Sequence, residues 1–133
     1  MTTLSVERQY PIAAIEEVDY HELPTGQPVN VIKLPVNAIV LSVGAFVEAA
    51  TNSGNTSVLD IGDGDTGDLY VTDLNTQVAG ESETIDLTEV GKKYPSGGYI
   101  TATRAEAGTP ATAGKIRIFA TYVVLNRVNE VQT

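Results

Sequence analysis

Apolar and polar residues alternate along several segments of the chain, with the period of two that places successive side chains on opposite faces of a β-strand. The clearest case is Ala38–Ala49, where Ile39, Leu41, Val43, Ala45 and Val47 alternate with their neighbours. No segment shows the i, i+3, i+4, i+7 apolar repeat of a capped amphipathic helix. The sixteen valines and sixteen threonines are β-branched and favour strands. The pattern predicts an all-β chain.

The predicted strands are separated by segments rich in Gly, Asn, Asp and Pro. In chain order they are Leu4–Tyr10 (a weak strand or extended arm), Ala13–Tyr20, Val29–Leu34, Ala38–Ala49, Ser57–Gly62, Glu83–Leu87, Tyr99–Arg104 and Lys115–Leu125. Leu69–Leu74 fits a strand or a single helical turn, and Asp60–Asp68 is predicted to be a loop. About eight strands without helices favour a two-sheet sandwich or a small barrel.

Length and composition set the domain count and exclude several functions. At 133 residues, one domain is expected over 13–133 with a short polar C-terminal tail, preceded by an arm or edge strand over 1–12. Seventeen acidic against eight basic residues give a net charge of -9, which argues against a nucleic-acid partner and a membrane partner. The absence of cysteine excludes disulfides and thiolate metal sites and suits folding in a reducing cytosol.

The segment from residue 60 to residue 68 is the strongest candidate for metal chemistry. Its four carboxylates on a glycine-rich backbone are what a hard cation such as Ca²⁺ requires; they belong to Asp60, Asp63, Asp65 and Asp68. Counted from Asp63, however, an EF-hand loop would need glycine where Asp68 stands. A solvated loop in an acidic protein is therefore favoured, and no metal or other cofactor is expected.

Catalytic residues are not evident. His21 is the single histidine and has no identifiable nucleophile beside it, so an ordinary surface or turn histidine is expected. Acidic pairs such as Glu81 and Glu83 could in principle serve a glycosidase. That chemistry usually needs an aromatic-lined cleft, whereas this chain has no Trp and two Phe. The prediction is a protein without enzymatic activity.

The last predicted strand carries apolar residues on both faces. One face presents Ile116, Ile118, Ala120, Tyr122 and Val124, and the other presents Phe119, Val123 and Leu125. A half-solvated strand would be polar on its second face, so either a further layer of the same chain or another subunit covers it. The same argument applies to Val40 and Phe46 on the long strand. These five residues, Phe119, Val123, Leu125, Val40 and Phe46, are the candidate subunit interface.

Several of these segments resemble a known family. Val31–Val40 has the form hydrophobic-Leu-Pro-x-x-Ala-Ile-Val at the entry to a long strand, and Ser57–Asp63 has the form small-x-Leu-x-Ile-Gly-Asp. Further similarity lies in Phe46–Ala49, Asp68–Tyr70, Ala111–Ile118 and Tyr122–Val124. Together they resemble small virion proteins of tailed bacteriophages, in particular capsid decoration (cement) proteins of the jelly-roll-like type. The similarity extends over most of 11–125.

The resemblance implies a jelly-roll-like two-sheet β-sandwich without catalytic residues or cofactor. It also implies a structural protein that decorates and stabilises a phage capsid by binding the lattice of the major capsid protein. Such proteins typically assemble as homotrimers, and the expected location is the capsid exterior of the virion, after synthesis in the host cytoplasm.

A second function stays open: a fibre, spike or carbohydrate-binding module that recognises a surface glycan. Tyr94 and Tyr99 flank the turn Pro95–Gly98 and are the best candidates for stacking on a sugar. Against this, tyrosines at such a turn also serve simply to pack it.

Overall fold

Nine β-strands and one 3-10 turn form the regular structure of residues 9–84 and 90–127, which are those that the computed structural model describes. The strands are β1 (Ile12–Asp19), β2 (Val29–Leu34), β3 (Ala38–Ala49), β4 (Thr56–Asp63), β5 (Val71–Asn75), β6 (Ser82–Thr84), β7 (Lys93–Tyr94), β8 (Gly98–Ala107) and β9 (Lys115–Val124). The 3-10 turn, Tyr20–Glu22, follows β1 directly. The described residues contain no helix long and apolar enough to cross a membrane.

The strands form two antiparallel sheets packed as a sandwich, which confirms the predicted fold class. The larger sheet has the order β1-β9-β3-β6, with the short β7 also paired to β3, and the smaller has the order β2-β8-β4-β5. With β7 set aside, the chain passes from one sheet to the other at every connection between consecutive strands except the β4–β5 hairpin. These eight strands give the connectivity of a jelly roll.

The core lies between the sheets and consists of aliphatic side chains from both inner faces. Its largest fully buried members include Leu23, Leu34, Leu59, Ile61, Ile100, Ile116 and Ile118. On β9 the predicted inner face is confirmed, because Ile116, Ile118, Ala120 and Tyr122 all belong to this core. The tight corner between β2 and β3 depends on Asn37, which adopts φ 65°, a conformation that asparagine tolerates better than most residues.

A bulge in β3 overturns part of the predicted face assignment. The pairing of β3 with β9 shifts register between Val40 and Ser42, so the residues before and after Leu41 alternate out of phase. After the bulge, Val43, Ala45 and Val47 are buried as predicted. Before it, Val40 points into the core and is fully buried, so its assignment to a subunit interface was wrong.

The remaining element predictions differ from the structure mainly at the ends. β4 continues to Asp63, so the first part of the predicted acidic loop is strand. The segment that fitted strand or helical turn is a strand, β5. Of the predicted strand Glu83–Leu87, residues 85–89 lie outside the described residues, as do residues 1–8 of the predicted arm.

Candidate functional site

The outer face of the larger sheet is the best candidate for a functional surface, because it is apolar along most of its length. Central strand β9 places Phe119 opposite Ile15 of β1 and Gly44 of β3, and Val123 opposite Ile39 of β3. None of these side chains packs against the core. Ile15 is 66% exposed and Leu125, just beyond β9, is 41% exposed. We call the set Ile15, Ile39, Phe46, Phe119, Val123 and Leu125 the outer apolar face.

The sequence prediction found four members of this face and missed two. Phe119, Val123, Leu125 and Phe46 lie on it as expected, since the two-residue period holds through β9 and the second half of β3. The alternation placed Ile39 on the same face as Val43 and Val47, and the bulge at Leu41 turns Ile39 to the outer face instead. Ile15 was recognised as alternating with its neighbours, but β1 gave no sign that its apolar residue would be so exposed. Their role as a subunit interface stays a prediction.

The Phe119 ring covers a glycine on the neighbouring strand. Gly44 lies directly opposite Phe119, and a Cβ built there would lie 2.8 Å from the backbone oxygen of Glu83 and closer still to the Phe119 ring. Only a residue without a side chain leaves this space, and the aromatic ring fills it. The contact explains why Phe119 is half-buried within a single chain.

One end of the outer apolar face carries an ion-pair cluster. Arg117 Nε donates to Glu17 at 3.0 Å and its Nη2 lies 3.3 Å from Glu48, so the cation bridges β1 and β3 across β9. The guanidinium also lies 5.8 Å from the centroid of the Phe46 ring. The Arg117 hydrogen bond is the main cause of a lowered pKa at Glu17. The charges mark the boundary of the apolar area.

The outer face of the smaller sheet is polar by comparison. Its strands present residues such as Asn30, Lys33, Thr103 and Asp60 to solvent. Tyr99 is the large exposed aromatic residue on that side, with 41% exposure. The two broad faces of the sandwich therefore differ in chemistry, and the apolar one is where contact with another protein would remove the most apolar surface from water.

Asp63, one of the four calcium candidates, belongs to a buried network instead. It is 4% exposed, and its Oδ2 accepts hydrogen bonds from Lys92 Nζ at 2.5 Å and from the Tyr94 hydroxyl at 2.8 Å. Tyr94 also bonds the Tyr70 hydroxyl. Burial by itself raises the pKa of the Asp63 carboxyl, but the hydrogen bonds from Lys92, Tyr94 and two backbone N–H groups hold it below its usual value.

The other three carboxylates of that segment do not converge on Asp63. Asp60 Oδ1 accepts the backbone N–H of Asp73 at 2.8 Å, and burial raises the pKa of Asp60. Asp65 and Asp68 are exposed or partly exposed. The one cluster of metal-ligating side chains among the described residues is Asp19, His21 and Glu22, whose ligand atoms lie within 4.8 Å of one another. Asp19 caps the 3-10 turn, and His21 and Glu22 belong to it. The Glu22 carboxylate accepts a hydrogen bond from the backbone N–H of Asp19, which closes the turn.

Tyr94 and Tyr99, the two tyrosines predicted to stack on a sugar, are not both exposed to solvent. Tyr94 is buried, with its hydroxyl bonded to Asp63 and Tyr70, and burial together with those partners raises its pKa. Only Tyr99 of the two is exposed. It lines an open cleft of about 570 Å³ together with residues of the β2–β3 corner and the turn before β8; these are Lys33, Leu34, Pro35, Val36, Ser96, Gly97 and Gly98.

A buried arginine that no sequence motif singles out holds one end of the sandwich together. Arg104 is 4% exposed; its Nη1 lies 2.5 Å from Glu106, and its Nε and Nη2 each donate at 3.2 Å to the backbone oxygens of Leu23 and Tyr20. Burial raises the pKa of Glu106, yet the hydrogen bonds from Arg104, Ser53 and a backbone N–H outweigh it and leave that pKa low. The Arg104–Glu106 pair therefore stabilises the fold by linking β8 to the backbone around the 3-10 turn.

No protein-family model matches the sequence, and no curated protein matches it. Solved structures, in contrast, match over nearly the whole chain. A chain of the cyanophage Pam1 capsid asymmetric unit matches with a TM-score of 0.68 at 18% identity, covering 92% of this chain and 94% of that one. A chain of the Ralstonia phage GP4 capsid matches with 0.70 at 17% identity, covering 96% and 92%.

A third match is a chain of the acidic stable capsid of Helicobacter pylori bacteriophage KHP30. Its TM-score is 0.64 at 16% identity, covering 93% of this chain and 98% of that one. At such identities the similarity concerns the fold. The chain thus has the fold of chains found in phage capsids, over almost their full length.

Proposed function

We propose that the chain is a structural protein of a phage virion that decorates the exterior of the capsid and stabilises it by binding the lattice of the major capsid protein. The observation that carries the proposal is the outer apolar face, an exposed sheet surface that a protein working alone in water would not need. Three chains of the same fold come from phage capsid structures, which supports the same assignment.

The area of the outer apolar face indicates which of the two partners, a sister subunit or the major capsid protein, it would bind. Three strands spaced ~4.8 Å apart, with ten residues of ~3.3 Å each, cover about 14 by 33 Å, or roughly 470 Å²; this is an upper bound, because the Arg117 cluster occupies one end of the face. A patch of this size is often an interaction site, but it lies below the ~800 Å² per partner of a standard stable interface. We therefore assign the face to contacts between sister subunits, in a homotrimer, and assign a separate arm, edge or loop to the major capsid protein.

The charge of the chain fits this role. A net charge of -9 on 133 residues keeps a protein soluble at high copy number and offers no basic surface for nucleic acid or for an anionic membrane. The action is adhesion, without enzymatic turnover or a cofactor. Synthesis would take place in the host cytoplasm, which suits a chain that has no disulfide to form.

The test combines a mass measurement with capsid binding. Purified protein should sediment as a trimer of about 42 kDa, three times the 14.1 kDa chain, and should co-sediment with capsids assembled from the major capsid protein of the same genome. Phe119→Ser with Leu125→Ser should give folded monomers that no longer add to capsids. Tyr99→Ser is the matched control, because Tyr99 and Leu125 are equally exposed but lie on opposite broad faces.

Two results would contradict the proposal. A wild-type monomer of about 14 kDa that ignores capsids would remove both the trimer and the decoration role. Binding to a glycan array that is lost in Tyr99→Ser and kept in the double variant would instead identify a carbohydrate-binding module that uses the cleft beside Pro35 and Val36.

A further inference from the structure

Strand β1 is an edge strand that lacks most of the usual protection against pairing. Within the described residues, the other edges are short or irregular: β6 has three residues, β5 has five with Asp73 at φ 54°, and β2 has a bulge and Lys33. Such features discourage the addition of another strand. β1 has eight residues, no proline and no lysine, and pairs with β9 without a register shift.

The hydrogen bonds at both ends of β1 show which backbone groups face outward. The N–H of Tyr20 donates to Gly114 at 3.0 Å, and the N–H of Val124 in β9 donates to the side-chain oxygen of Gln9 at 2.8 Å. In an antiparallel pair, every second residue of an edge strand directs its N–H and C=O groups to the neighbouring strand. Because Tyr20 bonds to the chain just before β9, the even-numbered residues of β1 are the ones that bond to β9. The odd-numbered residues, Ala13, Ile15, Glu17 and Asp19, therefore direct N–H and C=O groups to the free edge.

Within the described residues, three of these four have backbone groups with no second partner on this side, which are open to a new strand. The Asp19 N–H is already bonded to the Glu22 carboxylate at 3.2 Å, which closes the edge at its C-terminal end. Ala13, Ile15 and Glu17 are all exposed. They offer three donors and three acceptors over about 14 Å of edge, which is enough to pair one short extended segment.

The charges on β1 decide what kind of segment fits. Glu16, Glu17 and Asp19 form an acidic C-terminal half, and Glu16 has no ion-pair partner in the described part of the chain. A second copy of β1 would offer no basic residue to pair with Glu16, since none of its eight residues is Lys or Arg. A segment that is apolar opposite Ala13 and Ile15 and carries Lys or Arg opposite Glu16 would be attracted.

We propose that β1 accepts, by β-strand addition, an extended basic segment of the shell protein that the chain decorates. This inference rests on the proposed function and specifies the contact through which the lattice is bound. The added strand pairs with the free side of β1 and so extends the larger sheet by one strand. Backbone hydrogen bonds between the two strands hold the two proteins together. The acidic half of β1 selects a basic partner and sets the direction in which its segment runs.

Proline at position 15 tests the inference directly. Ile15→Pro removes an N–H that points to the free edge and leaves the inward bonds to β9 in place, so the fold should be kept. Ile15→Val is the matched control, since it retains the N–H and a similar apolar side chain. Ala13→Pro removes another outward N–H outside the outer apolar face, so an equal loss of binding in both proline variants separates the lost N–H from the lost Ile15 side chain; Ala13→Pro also replaces Ile15→Pro if the latter melts at a much lower temperature than the control.

Binding to capsids is measured by co-sedimentation over a protein titration. We expect the proline variant to bind at least about tenfold more weakly than wild type and Ile15→Val to bind within about threefold of it. Backbone amides of Ala13, Ile15 and Glu17 should exchange hydrogen rapidly in the free protein and slowly on the capsid. Added salt should weaken binding, because the Glu16 contact is exposed.

The outcomes separate the two proposals. Equal capsid binding by wild type, Ile15→Pro and Ile15→Val, with no protection of the three amides, would overturn strand addition and leave the decoration role intact. Failure of wild-type protein to bind capsids at all would overturn both. Self-association that the proline variant alone abolishes, without any effect on capsid binding, would show that the edge pairs with a second copy and would likewise refute a basic shell segment.

Discussion

Asp63→Ala would remove an acceptor that four donors share at the end of β4. The Asp63 Oδ1 atom accepts the backbone N–H groups of Asp65 and Thr66 at 3.0 and 2.8 Å. Its Oδ2 atom accepts Lys92 and the Tyr94 hydroxyl. Asp63→Asn keeps an oxygen for the two N–H groups of the turn but loses the negative charge. The pair of variants therefore separates the turn from the charge.

The structure gives an approximate size for each loss. The two turn hydrogen bonds contribute ~1 kcal/mol each, and leaving the buried Tyr94 hydroxyl without this acceptor costs about as much. The Lys92 ion pair adds no more than ~1 kcal/mol, because the lysine side chain is 34% exposed and its ammonium group can return to water. We expect the free energy of unfolding to fall by about 4 kcal/mol in Asp63→Ala and about 2 kcal/mol in Asp63→Asn.

Urea denaturation followed by circular dichroism would measure both values at pH 7. The dependence on pH gives a second measurement. Since the pKa of Asp63 is lower in the folded protein, its stabilisation is fully present above the unfolded carboxyl pKa of ~3.9 and is lost as the pH falls through the folded value. Wild-type protein should therefore lose stability more steeply than Asp63→Asn as the pH is lowered from about 5 towards 2.

Asp65→Ala is the matched control, because Asp65 is exposed and donates to Asp63 through its backbone only. It should stay within about 0.5 kcal/mol of wild type. If Asp63→Ala also stayed within that range, or if Asp63→Asn kept the full acid dependence of wild type, the network would not stabilise the fold and the reasoning from its geometry would be refuted.

Three further predictions concern the core, the acidic segment and the buried arginine. Val43→Asp should prevent folding, because position 43 is fully buried without a charge partner; a soluble, cooperatively melting variant would show that its face is misassigned. A chelator should leave the melting temperature unchanged, since Asp63 is bonded to Lys92; a fall in that temperature would reveal a bound cation. Glu106→Gln should lower the free energy of unfolding by about 3 kcal/mol by leaving buried Arg104 without its carboxylate, and urea denaturation matching wild type would contradict this.

The strands could be predicted from the sequence because their signals are local. Alternation with β-branched residues, bounded by proline or glycine, placed Val29–Leu34 and Ala38–Ala49 at the bounds that the structure has. The error at Val40 has a physical cause: one extra residue at Leu41 inverts every side chain on one side of it, yet changes neither composition nor average hydrophobicity. The alternation of apolar and polar residues therefore does not predict the position of a bulge.

The candidate site could be predicted only in part, because partners distant in sequence decide which polar groups are buried. Asp63 and Lys92 meet because the last residue of β4 lies beside the start of β7 in the fold, and neither segment alone indicates this. In the sequence, Arg104 does not differ from an exposed charged residue near the end of a strand. Its burial follows from contacts with Glu106 and with the backbone carbonyl of Leu23, which only the fold brings beside it. The exposure of Ile15 likewise follows from the position of β1 at the sheet edge.

The contact between Gly44 and Phe119 has a consequence for related sequences. The two positions lie on different strands, and the space above the glycine is the space that the aromatic ring occupies. Loss of the large ring at position 119 would not by itself make room for an alanine at position 44, because the backbone oxygen of Glu83 would still lie 2.8 Å from the added Cβ. An alignment should therefore show glycine retained at position 44 while position 119 varies in size, because the backbone of β6 requires the glycine and the ring only fills the space beside it.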